Sequence, residues 1–104
     1  MIRKQEITTF EFPENAIIWD VRDNKAFTES HVKGAINQPI DDLSADSLAQ
    51  VESDQPIYIL CGGGSKAPRA AEKLEGFDSA RNYVVLMGGT RAAKAAGLPL
   101  EAGA

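Results

Sequence analysis

Cys61 is the only cysteine of the chain, set between an apolar run and a helical pattern in the stretch "YILCGGGSKAPRAAEKL". Gly62, Gly63 and Gly64 follow it, then Ser65 and Lys66. A thiol in this setting suits nucleophilic chemistry. Glycines accept the positive φ angles of a concave turn, so backbone N–H groups can converge on one point. A helix beginning near Ser65 directs its N-terminal partial charge of about +0.5 at the same place. Lys66 adds a cation. Together these features favour the thiolate, the attacking form of the group, and they favour an arriving anion such as thiosulfate. No general base is needed for such an attack. His31 is the only imidazole and lies far upstream of Cys61.

Two other readings of these residues remain open on spacing alone. A lone Cys ending a buried strand is also a small apolar core residue, and the glycines can serve only a strand-to-helix turn. A phosphatase type of loop would carry Arg six residues beyond its cysteine. That position is Ala67, and Lys66 is a point charge one position too early to replace a planar guanidinium.

The elements that must position Cys61 follow from the alternation of apolar runs with helical patterns, the sign of strand–crossover–strand units on a parallel sheet. "AIIWDV" (16–21), "PIYIL" (56–60) and "YVVLM" (83–87) are continuous and rich in β-branched residues. They read as central strands covered on both faces. "EITTFEF" (6–12) and "GAINQPI" (34–40) are weaker and read as short or edge strands. Asp23 caps a helix reaching about Ser30, and a short helix fits Ala45 to Val51. After the cysteine, Ala67, Ala70, Ala71 and Leu74 fall on one helical stripe, with Arg69, Glu72, Lys73 and Glu75 on the other face. Pro68 suits a first turn, and Gly76 reads as the end of this helix. "GTRAAKAAG" forms the last helix, stopped by Gly97 and Pro99. Cys61 thus sits where a central strand leaves the sheet, the usual address for a site in an open parallel sheet.

A chain of 104 residues reads as one domain, 1–104, able to bury roughly 60 to 70% of its unfolded surface without disulfides or structural metal. A net charge of −4, with Lys and Arg scattered, argues against a nucleic-acid partner. No run approaches the roughly 20 apolar residues of a membrane span, and "MIRKQEITTFEF" has basic residues but no apolar stretch of signal-peptide length. A single free thiol fits a reducing compartment, so the chain reads as cytoplasmic. One His and one Cys do not make a zinc site.

These stretches, taken together, resemble a single-domain rhodanese, of the sulfurtransferase family, over nearly the whole chain. "IIWDVRDNKAFTESHVKGAINQPI" is similar to the family's first signature, at Asp20, Val21, Arg22, His31, Gly34, Ala35, Asn37 and Pro39. "CGGGSKA" resembles its six-residue active-site loop, and "LMGGTRAAKAAGLP" its closing signature. The resemblance implies an α/β, rhodanese-like three-layer fold, with a mainly parallel five-stranded sheet flanked by helices. It also implies a ping-pong transfer without cofactor or metal. Cys61 takes the outer sulfur of a small anionic donor, holds it as a persulfide, and yields it to cyanide or a thiol. The loop of Gly62, Gly63, Gly64, Ser65 and Lys66 would bind substrate and stabilise the persulfide. Asp20, Arg22 and His31 are expected to be structural supports, since buried charge needs a partner. Trp19 is expected in the core. The acidic run from Asp41 to Asp54 reads as a solvated face.

The chain departs from the family pattern at Lys66, often Arg or a hydroxyl residue, at Gly63, where thiosulfate-specific members carry a cation, and at Ala93, commonly Trp. Sparse charge in the loop keeps two alternatives: a persulfide-carrying or redox-sensing module serving a protein donor or acceptor, and a non-catalytic binding domain.

Overall fold

The computed structural model describes residues 1–103. In chain order the elements are β1 (Ile2–Glu6), β2 (Ile17–Asp20), α1 (Asn24–Glu29), β3 (His31–Val32), β4 (Ile36–Asn37), α2 (Ala45–Ala49), β5 (Ile57–Leu60), α3 (Lys66–Phe77), β6 (Tyr83–Met87), α4 (Gly89–Ala95) and β7 (Leu100–Glu101). Five strands form one parallel sheet in the order β1-β6-β5-β2-β4. The three apolar runs are its middle, as their patterning requires. Ile17 to Asp20 pair with Ile57 to Leu60, and Ile57 to Ile59 pair with Tyr83 to Val85.

Side chains alternate across a strand, and here the alternation divides the core in two. Trp19, Val21, Ile57, Ile59, Tyr83 and Val85 pack with Leu48 of α2 and with Ala67, Ala70, Ala71 and Leu74 of α3. Ile18, Leu60, Val84 and Leu86 pack with Phe27 of α1 and Ala93 of α4. The molecule is therefore three layers, α2 and α3 on one face and α1 and α4 on the other. The alanines of α3 let that helix lie close to β5, which brings its first turn to the strand's end.

Local signals explain most boundaries. Asp23 Oδ1 accepts from Ala26 N–H at 2.8 Å and caps α1. Ser44 and Ser47 form a reciprocal capping box on α2. Arg81, 7% exposed, donates to the carbonyls of Leu48, Val51 and Glu52 at 2.8–2.9 Å, tying the end of α2 and the turn after it to the base of β6.

Two expectations are corrected, and one element is added. The first strand is Ile2–Glu6 rather than residues 6–12: its charged sequence suits an edge, while Ile7 turns inward through a 3-10 turn, Ile7–Thr9, and is fully buried. Gly76 does not end α3. The helix runs on to Phe77, and Asp78 N–H closes its last turn on the Leu74 carbonyl. A small antiparallel pair, His31 with Glu101 and Val32 with Leu100, was not expected, because two-residue strands carry no period.

Candidate functional site

Cys61 continues the alternation of Ile57 and Ile59, so its side chain falls on the α3 face of the sheet, within that core cluster. It is a free thiol, 4% exposed. A cleft of about 380 Å³ opens beside it. Arg22 and Asp23, from the turn between β2 and α1, and Ala26 of α1 line one wall. Gly62, Gly64, Ser65 and Lys66 line another, and Arg69 of α3 completes it.

The loop backbone differs in detail from the expected nest. Of the three glycines only Gly63 has a positive φ, +133°, and a Cβ there would lie 3.1 Å from the Gly88 carbonyl oxygen. Gly63 is not among the cleft-lining residues. The Cys61 thiol donates to the Gly64 carbonyl at 3.6 Å, and among the described residues no backbone N–H donates to the sulfur. Ser65, at the start of α3, makes no side-chain capping bond. The first turn of the helix is thus left open to a ligand.

A second glycine pair braces the loop from behind. Thr90 N–H donates to the Cys61 carbonyl at 2.8 Å, and Arg91 N–H to the Gly62 carbonyl at 3.2 Å. A Cβ on Gly89 would overlap the Cys61 carbonyl oxygen. "GGTR" therefore fixes the path of the chain through Cys61.

Asp20 is wholly buried. Its carboxylate holds Arg22 through Nε at 3.0 and 3.1 Å, through Nη2 at 2.7 Å and through the Arg22 N–H at 3.1 Å. Arg22 Nη2 also donates to the Ser30 carbonyl at 2.6 Å. Asn37 Nδ2 bridges the Asp20 and Arg22 carbonyls. Arg22 is thus both a structural partner and part of the cleft wall, its aliphatic Cδ lying 3.7 Å from where a Gly62 Cβ would stand. His31 is not in the cleft. Its ring stacks on Phe27 at 3.7 Å, and its Nδ1–H donates to the Phe27 carbonyl at 2.8 Å.

Asp23, Ala26 and Arg69 are the cleft residues that the sequence did not assign to the site, and Arg69 was missed because helical spacing places it on the solvent side of α3. The available signal was its i,i+3 relation to Lys66, which puts both side chains on one stripe. Neither Lys66 nor Arg69 has a carboxylate partner among the described residues. No group of three or more His, Cys, Asp or Glu side chains among these residues could hold a metal ion. No helix among them is long and apolar enough to cross a membrane.

The family model described as "Rhodanese-like domain" matches residues 8–96. The chain belongs to the rhodanese family. It is 35% identical over 63 residues to the thiosulfate sulfurtransferase GlpE of Shewanella oneidensis, a match covering 59% of this chain and 61% of that protein. It is 37% identical over 87 residues to the HTH-type transcriptional regulator Rv0324 of Mycobacterium tuberculosis, covering 82% of this chain and 37% of the regulator. The matches thus span less than two thirds of these relatives. Among solved structures, a rhodanese-like domain from Anabaena sp. superposes with a TM-score of 0.75 at 31% identity, covering 86% of this chain and 94% of that one. The thiosulfate sulfurtransferase of Pseudomonas aeruginosa shares the fold, with a TM-score of 0.77 at 21% identity over 86% of this chain and 17% of its own. The rhodanese fold thus accounts for the three layers and for the loop after β5.

Proposed function

We propose that this rhodanese domain is a sulfurtransferase in which Cys61 carries the sulfur. The carrying observation is a buried free thiol beside a cleft whose walls hold Arg22, Lys66 and Arg69, in a chain of net charge −4. The cleft gathers donors for an anion in a chain whose net charge is negative. With thiosulfate, the Cys61 thiolate attacks the outer sulfur, the S–S bond of the donor breaks, and sulfite leaves with the electron pair. Cyanide or a thiol then attacks the outer sulfur of the persulfide and returns Cys61 to the thiolate. In this reading the open first turn of α3 and the cleft-lining part of the loop, Gly62, Gly64, Ser65 and Lys66, offer N–H groups to the terminal sulfur, and Lys66 supplies charge. Asp20 and Arg22 hold the opposite wall, and His31 acts only by joining α1 to β3. A single domain working in a reducing compartment such as the cytoplasm, with small sulfur donors and acceptors and without a cofactor, belongs to the same proposal.

Intact mass spectrometry tests this reading. Reduced protein exposed briefly to thiosulfate should gain one sulfur, lose it to cyanide, and gain nothing as Cys61→Ser. Residual turnover in the folded Cys61→Ser protein would overturn it.

One observation favours a second reading, a persulfide carrier serving a protein partner: the domain matches only a part of the longer transcriptional regulator. That reading expects slow loading by thiosulfate and fast loading by a protein persulfide.

A further inference from the structure

The cleft holds more positive charge than the loop alone provides, and its members are not equivalent. Arg22 is committed: Nε and Nη2 are taken by Asp20 and by the Ser30 carbonyl. Asp23 is the one carboxylate of the lining, on the same wall as Arg22, so a ligand carboxylate is disfavoured there. On the opposite wall Lys66 and Arg69 lie one turn apart on α3, unpaired among the described residues. Arg69 is therefore the uncommitted guanidinium of the cleft. Its planar fork matches a carboxylate in bidentate fashion, which an ammonium does not.

The volume agrees with an organic ligand. About 380 Å³ falls in the range of small-molecule sites, roughly 300 to 1,000 Å³, and a five-atom inorganic anion fills a fraction of it. Ala26 adds an apolar surface for methylene groups.

We infer that Arg69 makes this cleft selective for a low-molecular-weight organic persulfide that bears a carboxylate, Arg69 gripping the carboxylate while the outer sulfur meets Cys61. The inference rests on the sulfur-transfer reading above. In the loading step the Cys61 thiolate attacks the outer sulfur of R–S–SH. The new Cys–S bond forms, the donor S–S bond breaks, and R–S⁻ leaves with the electron pair. The proton stays on the transferred sulfur, so no oxidant or reductant is needed.

The test compares the loading of Cys61 by three donors: glutathione persulfide, which carries carboxylates, the uncharged persulfide of 2-mercaptoethanol, and thiosulfate. The expected result is a kcat/KM ratio of carboxylated to uncharged persulfide that falls about tenfold in Arg69→Gln, the worth of one charged hydrogen bond. The change should lie in KM, and Arg69→Lys should restore it only in part. Lys94→Gln, an exposed charge outside the cleft, should leave the ratio as in the unaltered protein. A ratio unchanged by Arg69→Gln, or an equal fall with thiosulfate, overturns the inference while leaving sulfur transfer standing. Loading by none of the three donors removes the sulfur-transfer reading and this inference together.

Discussion

Gly89 packs so closely on Cys61 that its α-hydrogen leaves no room for a methyl group: a Cβ at 89 would overlap the Cys61 carbonyl oxygen and lie 2.8 Å from the Gly63 nitrogen. Gly89 also holds φ at +57°, which costs an L-residue about 1 to 2 kcal/mol. Gly89→Ala should therefore lower stability by more than about 2 kcal/mol and move the loop, because the obstacle is backbone rather than a flexible side chain. Gly64, with open space around its Cα, should accept Ala with little change in melting temperature. Equal melting temperatures for the two variants would refute the bracing role of the second glycine pair.

Asp20 and Arg22 form a pair in which one partner has no solvent at all. Removing the charge of Asp20 leaves Arg22 against a neutral group in a largely buried setting, and breaking such pairs costs about 3 to 5 kcal/mol. Arg22 keeps some exposure and the Ser30 carbonyl, so Asp20→Asn should fall at the lower end, near 3 kcal/mol. Urea unfolding measures it. A loss below about 1 kcal/mol would mean that the network tolerates a neutral partner.

The strands that frame Cys61 were legible because a parallel sheet buries both faces, and "IIWDV", "PIYIL" and "YVVLM" have few other uses. The stripe of Ala67, Ala70, Ala71 and Leu74 was legible for the same reason, since all four are buried. Ile2–Glu6 was not, because an edge strand is held by backbone pairing to β6 and leaves Arg3, Lys4 and Glu6 exposed, with no apolar period to read. Within the site, Cys61, Lys66 and the pairing of Asp20 with Arg22 could be read from residue type and order. Arg69 could not, because the cleft is formed between α3 and the turn after β2, two segments whose approach only the fold defines. Likewise nothing local in "GGTR" announces that its N–H groups bond to the Cys61 and Gly62 carbonyls.

Arg81 is a structural cation remote from the cleft. Its guanidinium satisfies three carbonyls around the end of α2 and pairs with Asp78 at 3.1 Å. Arg81→Met keeps much of the apolar volume and abandons those carbonyls, so stability should drop by about 2 to 3 kcal/mol. Persulfide formation at Cys61 in the folded variant should proceed at the unaltered rate. A large loss of that rate without loss of stability would contradict the assignment.

Tyr83 should contribute to a loss of stability at alkaline pH. Its ring is fully buried and its hydroxyl donates to the carbonyls of Leu74 and Asp78 at 3.2 and 2.6 Å. Burial, and after it the negative charges of Asp78 and Glu75, raise its pKa above the usual 10.0, while Arg81 pulls the other way. In the window above 10.0 the folded protein keeps a proton that the unfolded chain releases. The unfolded state then binds fewer protons, so stability falls as pH rises. The contribution of this group is complete below 10.0 and disappears as pH climbs through its raised value. Tyr83→Phe should cost about 1 kcal/mol at neutral pH through the lost hydrogen bonds, and it should make the decline above 10.0 shallower than in the unaltered protein. Urea midpoints taken for both proteins from neutral to alkaline pH check this: the two curves should converge, and parallel curves would show that another group causes the loss.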